Sequence, residues 1–294
     1  MSEVSFFLVD VFAEKKYSGN QLAVVNSGAL LSTEQMQEIA NEMHFSETTF
    51  ILSEQERNGG FDVRIFTPSI EVPFAGHPTL GTAYVIRRFI ISNAVSGVRL
   101  NLKVGQIPVT FEKAEKQQEM LWMEQSSPIF GKTFSVQQFA QVLQLSVDDF
   151  NSNYPIQEVS TGLPFIIVPL TTLAAVKKAK IDIKNLLELA KEVQAGILIF
   201  CPETYEKGND LNVRVFVDLF GISEDPATGS GNGCLAGYLS RYNYFGTDKV
   251  NVRVEQGYEV GRRSLLLLKA DKNAGKIRVR VGGKVILVAR GKLA

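Results

Sequence analysis

Residues 223–233 read SEDPATGSGNG, and side chains that could do chemistry are concentrated there. Glu224 and Asp225 precede Pro226, and Gly229, Gly231 and Gly233 alternate with Ser230 and Asn232 before an apolar run opening at Cys234. A carboxylate can exchange protons with a substrate or orient it. Glycines at the start of a helix allow close approach to backbone N–H groups, which suit a small anion. A nucleotide-binding reading fails on spacing. G-x-G-x-x-G would need glycine where Cys234 stands, and no lysine supplies the Gly-Lys-Ser/Thr of a phosphate loop. The plain alternative is that Ser230 or Asn232 caps its own helix and the acids complement its dipole.

Two more stretches carry candidates. AGHPT (75–79) holds His77, one of two histidines, in what reads as a turn before a helix. FSETTF (45–50) sets Glu47 between Phe45 and Phe50, and apolar neighbours can tune a carboxylate into a proton donor or acceptor. The competing readings are a packing histidine and a strand-edge glutamate. Cys201 and Cys234 lie in apolar runs, where free cysteine behaves as a small buried hydrophobe.

Strands rich in β-branched and aromatic residues, with a few marked helices, must position these groups. VSFFLVDVF (4–12), QLAVVN (21–26), ETTFIL (47–52) and FDVRIF (61–66) read as strands. A helix is predicted over 32–43, capped by Ser32 or Thr33, and another over 78–90, opened by Pro78. Strands then flank a polar turn, AEKQQ. After QSSPIFGK (125–132) the pattern restarts, reaches a helix over 232–242, and ends in a β-meander through KVILVAR. A weak repeat underlies this order. VRIFTPS leads through IEVPFAGHPT to one helix, and VRVFVDL through FGISEDPATGSGNG to another. The division falls at 1–128 and 129–294, with an active site expected in the cleft between two similar lobes and the last strands free to cross back.

Composition narrows the function. The 294 residues carry 31 Lys+Arg and 31 Asp+Glu without a basic stripe, which argues against a nucleic-acid partner. Pairs such as Arg87-Arg88 and Arg262-Arg263 read as solvated faces. The apolar runs fall short of the ~20 residues of a membrane helix. The start of the chain lacks the features of a signal peptide. Two histidines and two unrelated cysteines make a metal site improbable. A cytoplasmic protein without metal or membrane partner is expected.

Together, VDVFAEKKYSGNQLAVV, FSETTFIL, RIFTPSIEVPFAGHPTLGTA and EDPATGSGNGCLAGYL resemble the phenazine-biosynthesis isomerase (PhzF-like) family from the first strand to the final meander. The resemblance implies an α+β fold of the diaminopimelate epimerase-like type, two similar lobes each with a β-barrel-like sheet around a central helix. It implies Glu47 as general acid/base, moving a proton between ring carbons of a dihydro-hydroxyanthranilate-like substrate. His77, Asp225 and Ser230 would bind and polarise that substrate, and amides around Gly76, His77, Gly229 and Ser230 would hold its carboxylate. No cofactor is implied, and a homodimer is. The related epimerases place a cysteine in each lobe's loop, and the resemblance sets Ala75 and Asp225 at those positions, against a two-thiol racemase. Two readings stay open: a racemase or epimerase using Glu47 and Asp225, and a binding protein of the same fold.

Overall fold

The computed structural model describes residues 4–26, 30–93, 95–113 and 119–293. The chain forms two units, Met1–Glu124 with Gly282–Ala294, and Gln125–Val281. The first contains β1 (Ser5–Val11), β2 (Asn20–Asn26), α1 (Thr33–Met43), β3 (Thr48–Ile51), β4 (Phe61–Phe66), β5 (Glu71–Val72) and α2 (Gly76–Val85). β6 (Gly97–Leu102), β7 (Gly105–Lys113) and β8 (Glu119–Gln125) follow. The second opens with β9 (Ile129–Phe134), α3 (Val136–Leu143), β10 (Ile156–Ser160), β11 (Pro164–Pro169), α4 (Leu173–Lys178) and α5 (Ile183–Ala190). It continues through β12 (Gly196–Cys201), β13 (Leu211–Val217), β14 (Ile222–Glu224), α6 (Gly229–Arg241), β15 (Val250–Gln256), β16 (Ser264–Asn273) and β17 (Lys276–Gly283). The last strand, β18 (Val285–Lys292), pairs antiparallel with β1 and so belongs to the first unit. The sequence-based division at 128 left the last strands free to cross back, because a meander pattern does not encode which edge its last strand will join.

The weak repeat is a structural repeat. β1–β2 is antiparallel, β2–β3 parallel, β3–β4 and β4–β5 antiparallel, and β4–β6 parallel. The second unit reproduces this with β10–β11, β11–β12, β12–β13, β13–β14 and β13–β15. Register makes the match residue by residue. Phe66 opposes Glu71 on β5, and Phe216 opposes Glu224 on β14.

Strand alternation gives each sheet two faces to cover. In the first unit one face meets α1, where Met36 and Ala40 pack with Val25, Phe50 and Phe66. The other meets α2, where the Thr49 and Thr82 hydroxyls lie 2.7 Å apart. In the second unit α3, α4 and α5 set Phe139, Val142, Val176 and Leu186 against Ile166, Val168, Ile197 and Ile199. The central helices α2 and α6 are buried nearly all round, so small residues replace an amphipathic stripe. A Cβ on Gly81 would lie 2.5 Å from Leu22 Cδ2, and one on Gly237 would lie 2.8 Å from the Pro128 ring.

Several boundaries move. α2 begins at Gly76, places Pro78 third, and gives way after Val85 to a π-helical turn over Ile86–Ile90. α6 begins at Gly229, three residues ahead of the predicted start at 232. Ser32 caps α1 in a capping box with Gln35. Arg87 is no solvated face: it donates to Glu119 at 2.9 Å and lies over the Phe111 ring. AEKQQ lies outside the described residues. No helix among the described residues is long and apolar enough to cross a membrane.

Candidate active site

The first unit brings Glu47 and His77 together. Glu47 precedes β3 and His77 is the second residue of α2, and Glu47 Oε2 lies 3.4 Å from His77 Nε2 without hydrogen-bond alignment. On the other side of the ring, Asn20 Nδ2 lies 3.3 Å from Nδ1. His77 is 5% exposed, and burial pushes its imidazole down to about 3 against a hydrogen bond with the Gln21 backbone. The ring is therefore neutral at neutral pH, and its contact with Glu47 is not an ion pair. Phe50 does not shield Glu47 as the sequence suggested. It belongs to the α1 face of the strand, whereas Glu47, two residues before Thr49, follows the α2 face.

The second unit brings Asp225, Gly229 and Ser230 into one turn. β14 ends at Glu224, the Asp225 amide donates to Val215 O at 3.0 Å, and α6 starts at Gly229. Thr228 takes the N-cap position, but its hydroxyl donates to Asp225 Oδ2 and does not cap the helix. Ser230 lies inside the first turn, and Asn232 donates from Nδ2 to Thr228 O at 3.0 Å, so neither is the cap.

The helix ends differ in kind. α1, α3, α4 and α5 are closed by Ser32, Ser135, Thr172 and Asp182 accepting from their own first turns. α2 and α6 have no side-chain cap and no acid in the first turn. Gly76–His77 and Gly229–Ser230 thus present helix N-termini whose dipoles suit an anionic group.

Register shows where the repeat breaks. Glu47 corresponds to Gly196, where a Cβ would lie 2.5 Å from Phe165 Cε1. Asp225 corresponds to Val72, His77 to Ser230, and Ala75 to Thr228, since Ala75 and Thr228 are the two N-caps. Within the repeat, the position matching Ala75 is therefore Thr228. What repeats unchanged is the support. Arg64 grips Glu71 with two hydrogen bonds of 2.8 Å, and Arg214 grips Glu224 at 3.0 and 2.8 Å. Each guanidinium also lies over the phenylalanine two residues on, Phe66 or Phe216. Sequence reading missed these forks, although Arg-x-Phe followed by Glu-x-Pro occurs in both halves.

Burial pushes the Cys201 thiol up to about 12 and that of Cys234 up to about 11, which suits inert core residues. Among the described residues, no group of three or more His, Cys, Asp or Glu side chains is placed to hold a metal ion.

Fold and residues together define an α+β enzyme of the diaminopimelate epimerase-like type, two repeats each wrapped around an uncapped central helix. A model of the phenazine biosynthesis-like protein family, PhzC–PhzF, matches residues 9–291. An uncharacterised isomerase of Mesorhizobium japonicum is 32% identical, covering 100% of this chain and 99% of that protein. The trans-2,3-dihydro-3-hydroxyanthranilate isomerase of Pseudomonas fluorescens is also 32% identical, with 98% and 99% covered. A solved PhzF-family phenazine biosynthesis protein of Bacillus anthracis superposes with a TM-score of 0.91 at 28% identity, both chains covered at 100%. A hydroxyproline epimerase from Agrobacterium vitis shares the fold alone, with a TM-score of 0.65 at 10% identity, covering 100% of this chain and 91% of that one. The chain belongs to the phenazine biosynthesis-like family, and it is an isomerase.

Proposed function

We propose that this isomerase shifts a proton between carbons of a small carboxylate-bearing ring, of the trans-2,3-dihydro-3-hydroxyanthranilate kind, with Glu47 as general acid/base. The observation that carries the reading is Glu47 held 3.4 Å from a buried, neutral His77. A carboxylate base takes the proton from an sp³ ring carbon, and the C–H electron pair joins the conjugated system. The protonated Glu47 then returns the same proton to another ring carbon, so nothing is gained or lost. A neutral imidazole orients the substrate without fixing a permanent charge beside the base. Asp225 and Ser230 supply polar groups for binding, and the N–H groups of Gly76, His77, Gly229 and Ser230 suit the substrate's carboxylate. This chemistry requires neither a metal nor an organic cofactor.

The broken repeat favours one base over two. A racemase with opposed bases is served by acid/base groups at matched positions, whereas Glu47 is matched by Gly196 and Asp225 by Val72. Proton NMR of trans-2,3-dihydro-3-hydroxyanthranilate in D₂O tests the reading. Wild type is expected to consume the substrate signals, and Glu47→Gln to slow this by about 10³-fold or more, as loss of an essential acid/base group does. Equal turnover by both proteins removes Glu47 from the role, and a folded but inert wild type removes the substrate.

A further inference from the structure

Gln256 ends β15 and is fully buried behind the Asp225 turn. Its amide makes four hydrogen bonds, the full capacity of two donors and one two-pair acceptor. Nε2 donates to Asp225 O at 2.7 Å and to Thr228 Oγ1 at 3.0 Å. Oε1 accepts from Thr228 N at 3.2 Å and from Asn232 Nδ2 at 2.8 Å. The second contact has a consequence for Asp225. A hydroxyl that already accepts from an N–H donor on one side turns its own proton elsewhere. The Thr228 proton is thereby sent to Asp225 Oδ2, 2.5 Å away. Gly257 fixes the arrangement from the next position: its φ is +78°, and a Cβ there would lie 2.5 Å from Pro226 O and 2.4 Å from Arg262 O.

We infer that Gln256 is a positioning residue for Asp225, acting by setting the direction of the Thr228 hydroxyl so that it donates to the Asp225 carboxylate. The inference rests on the proposed role of Asp225 in substrate binding. One Asp225 oxygen is tied down by Thr228, which fixes the plane of the carboxylate and how it meets a substrate. Glutamine is needed because glutamate in the same place would accept where the amide donates. It would call the Thr228 proton back and set an oxygen against the Asp225 carbonyl.

The test compares Gln256→Glu, Thr228→Val, the double variant and Thr228→Ser in the full chain. It reads kcat and KM for isomerisation of trans-2,3-dihydro-3-hydroxyanthranilate, and Thr228 χ1 from three-bond methyl couplings. Expected are losses of about tenfold or more in kcat/KM for Gln256→Glu and for Thr228→Val, the scale of one charge-assisted hydrogen bond. Thr228→Ser, which keeps the hydroxyl, recovers most of that loss. The double variant is no worse than the poorer single one, because the two changes cut one relay. Losses that multiply, or a Thr228→Val protein as active as wild type, overturn the inference. If Gln256→Glu does not fold, the near-isosteric Thr228→Val against Thr228→Ser decides. If wild type itself is inert on this substrate, the isomerase reading fails on its own, and χ1 decides for Gln256. A single Thr228 rotamer in wild type that becomes averaged in Gln256→Glu supports the inference, and an unchanged rotamer overturns it.

Discussion

A histidine buried beside a carboxylate is usually read as an ion pair, and His77 shows why burial has to be weighed first. Desolvation disfavours the imidazolium, so the ring stays neutral until about pH 3. The unfolded chain takes up that proton near ~6.5. The contribution of burying neutral His77 is therefore complete above ~6.5 and is lost as pH falls through the window toward about 3. Across it, wild type is expected to lose about 1.4 kcal/mol per pH unit more than His77→Gln. Urea midpoints at several pH values between neutrality and pH ~4 check this, and parallel curves for the two proteins would refute it.

Elements bring these side chains to their places through supports that repeat even though the chemistry does not. The Arg214–Glu224 fork joins β13 to β14, with both side chains 9% exposed, and Arg214 Nη1 also donates to Val176 O and Ala179 O. Arg214→Met leaves the Glu224 carboxylate buried without a counter-charge, at an expected cost of about 3 kcal/mol in chemical unfolding. Adding Glu224→Gln should recover part of that loss, whereas strictly additive losses would show that the fork is not the relevant unit. α6 offers a second test. A Cβ on Gly233 would lie 1.8 Å from Gln125 Oε1, whose amide donates to Gly229 O at 2.9 Å. Gly233→Ala is expected to cost about 1–3 kcal/mol and to weaken activity as well, since Gln125 anchors the first residue of the helix.

Across the whole chain, the last strand closes the first unit although it is made after the second. β18 pairs along the whole length of β1, with a register shift between Leu8 and Val9. Removing residues 285–293 turns β1 into an edge strand and exposes Val9 and Val11, which are 1% and 0% exposed with β18 in place. Hydrogen exchange at the amides of Phe6–Val11 is expected to accelerate far more than in the β12–β13 pair of the second unit. Uniform acceleration would mean that the strand supports both units alike.

His77, Asp225 and Ser230 could be singled out as candidates from sequence because polar types suited to proton chemistry stand there beside the glycines and prolines that shape their turns, and Glu47 because it lies between Phe45 and Phe50. The strands and the doubled strand–loop–helix order were legible for the same local reason: alternation and punctuation are properties of neighbouring residues. Other features depend on residues distant in sequence. Nothing near Gln256 marks it as the partner of a turn 28 residues away, and nothing near Val285 names β1 as its neighbour. Helix starts moved because neither buried N-terminus is closed by a side-chain cap: Ala75 has no polar group to offer, and Thr228 turns its hydroxyl to Asp225. Local patterning set which groups can react and which segments are strands. Long-range hydrogen bonding and burial, which only the folded chain creates, decided which face Glu47 takes, the charge of His77 and the hold on Asp225.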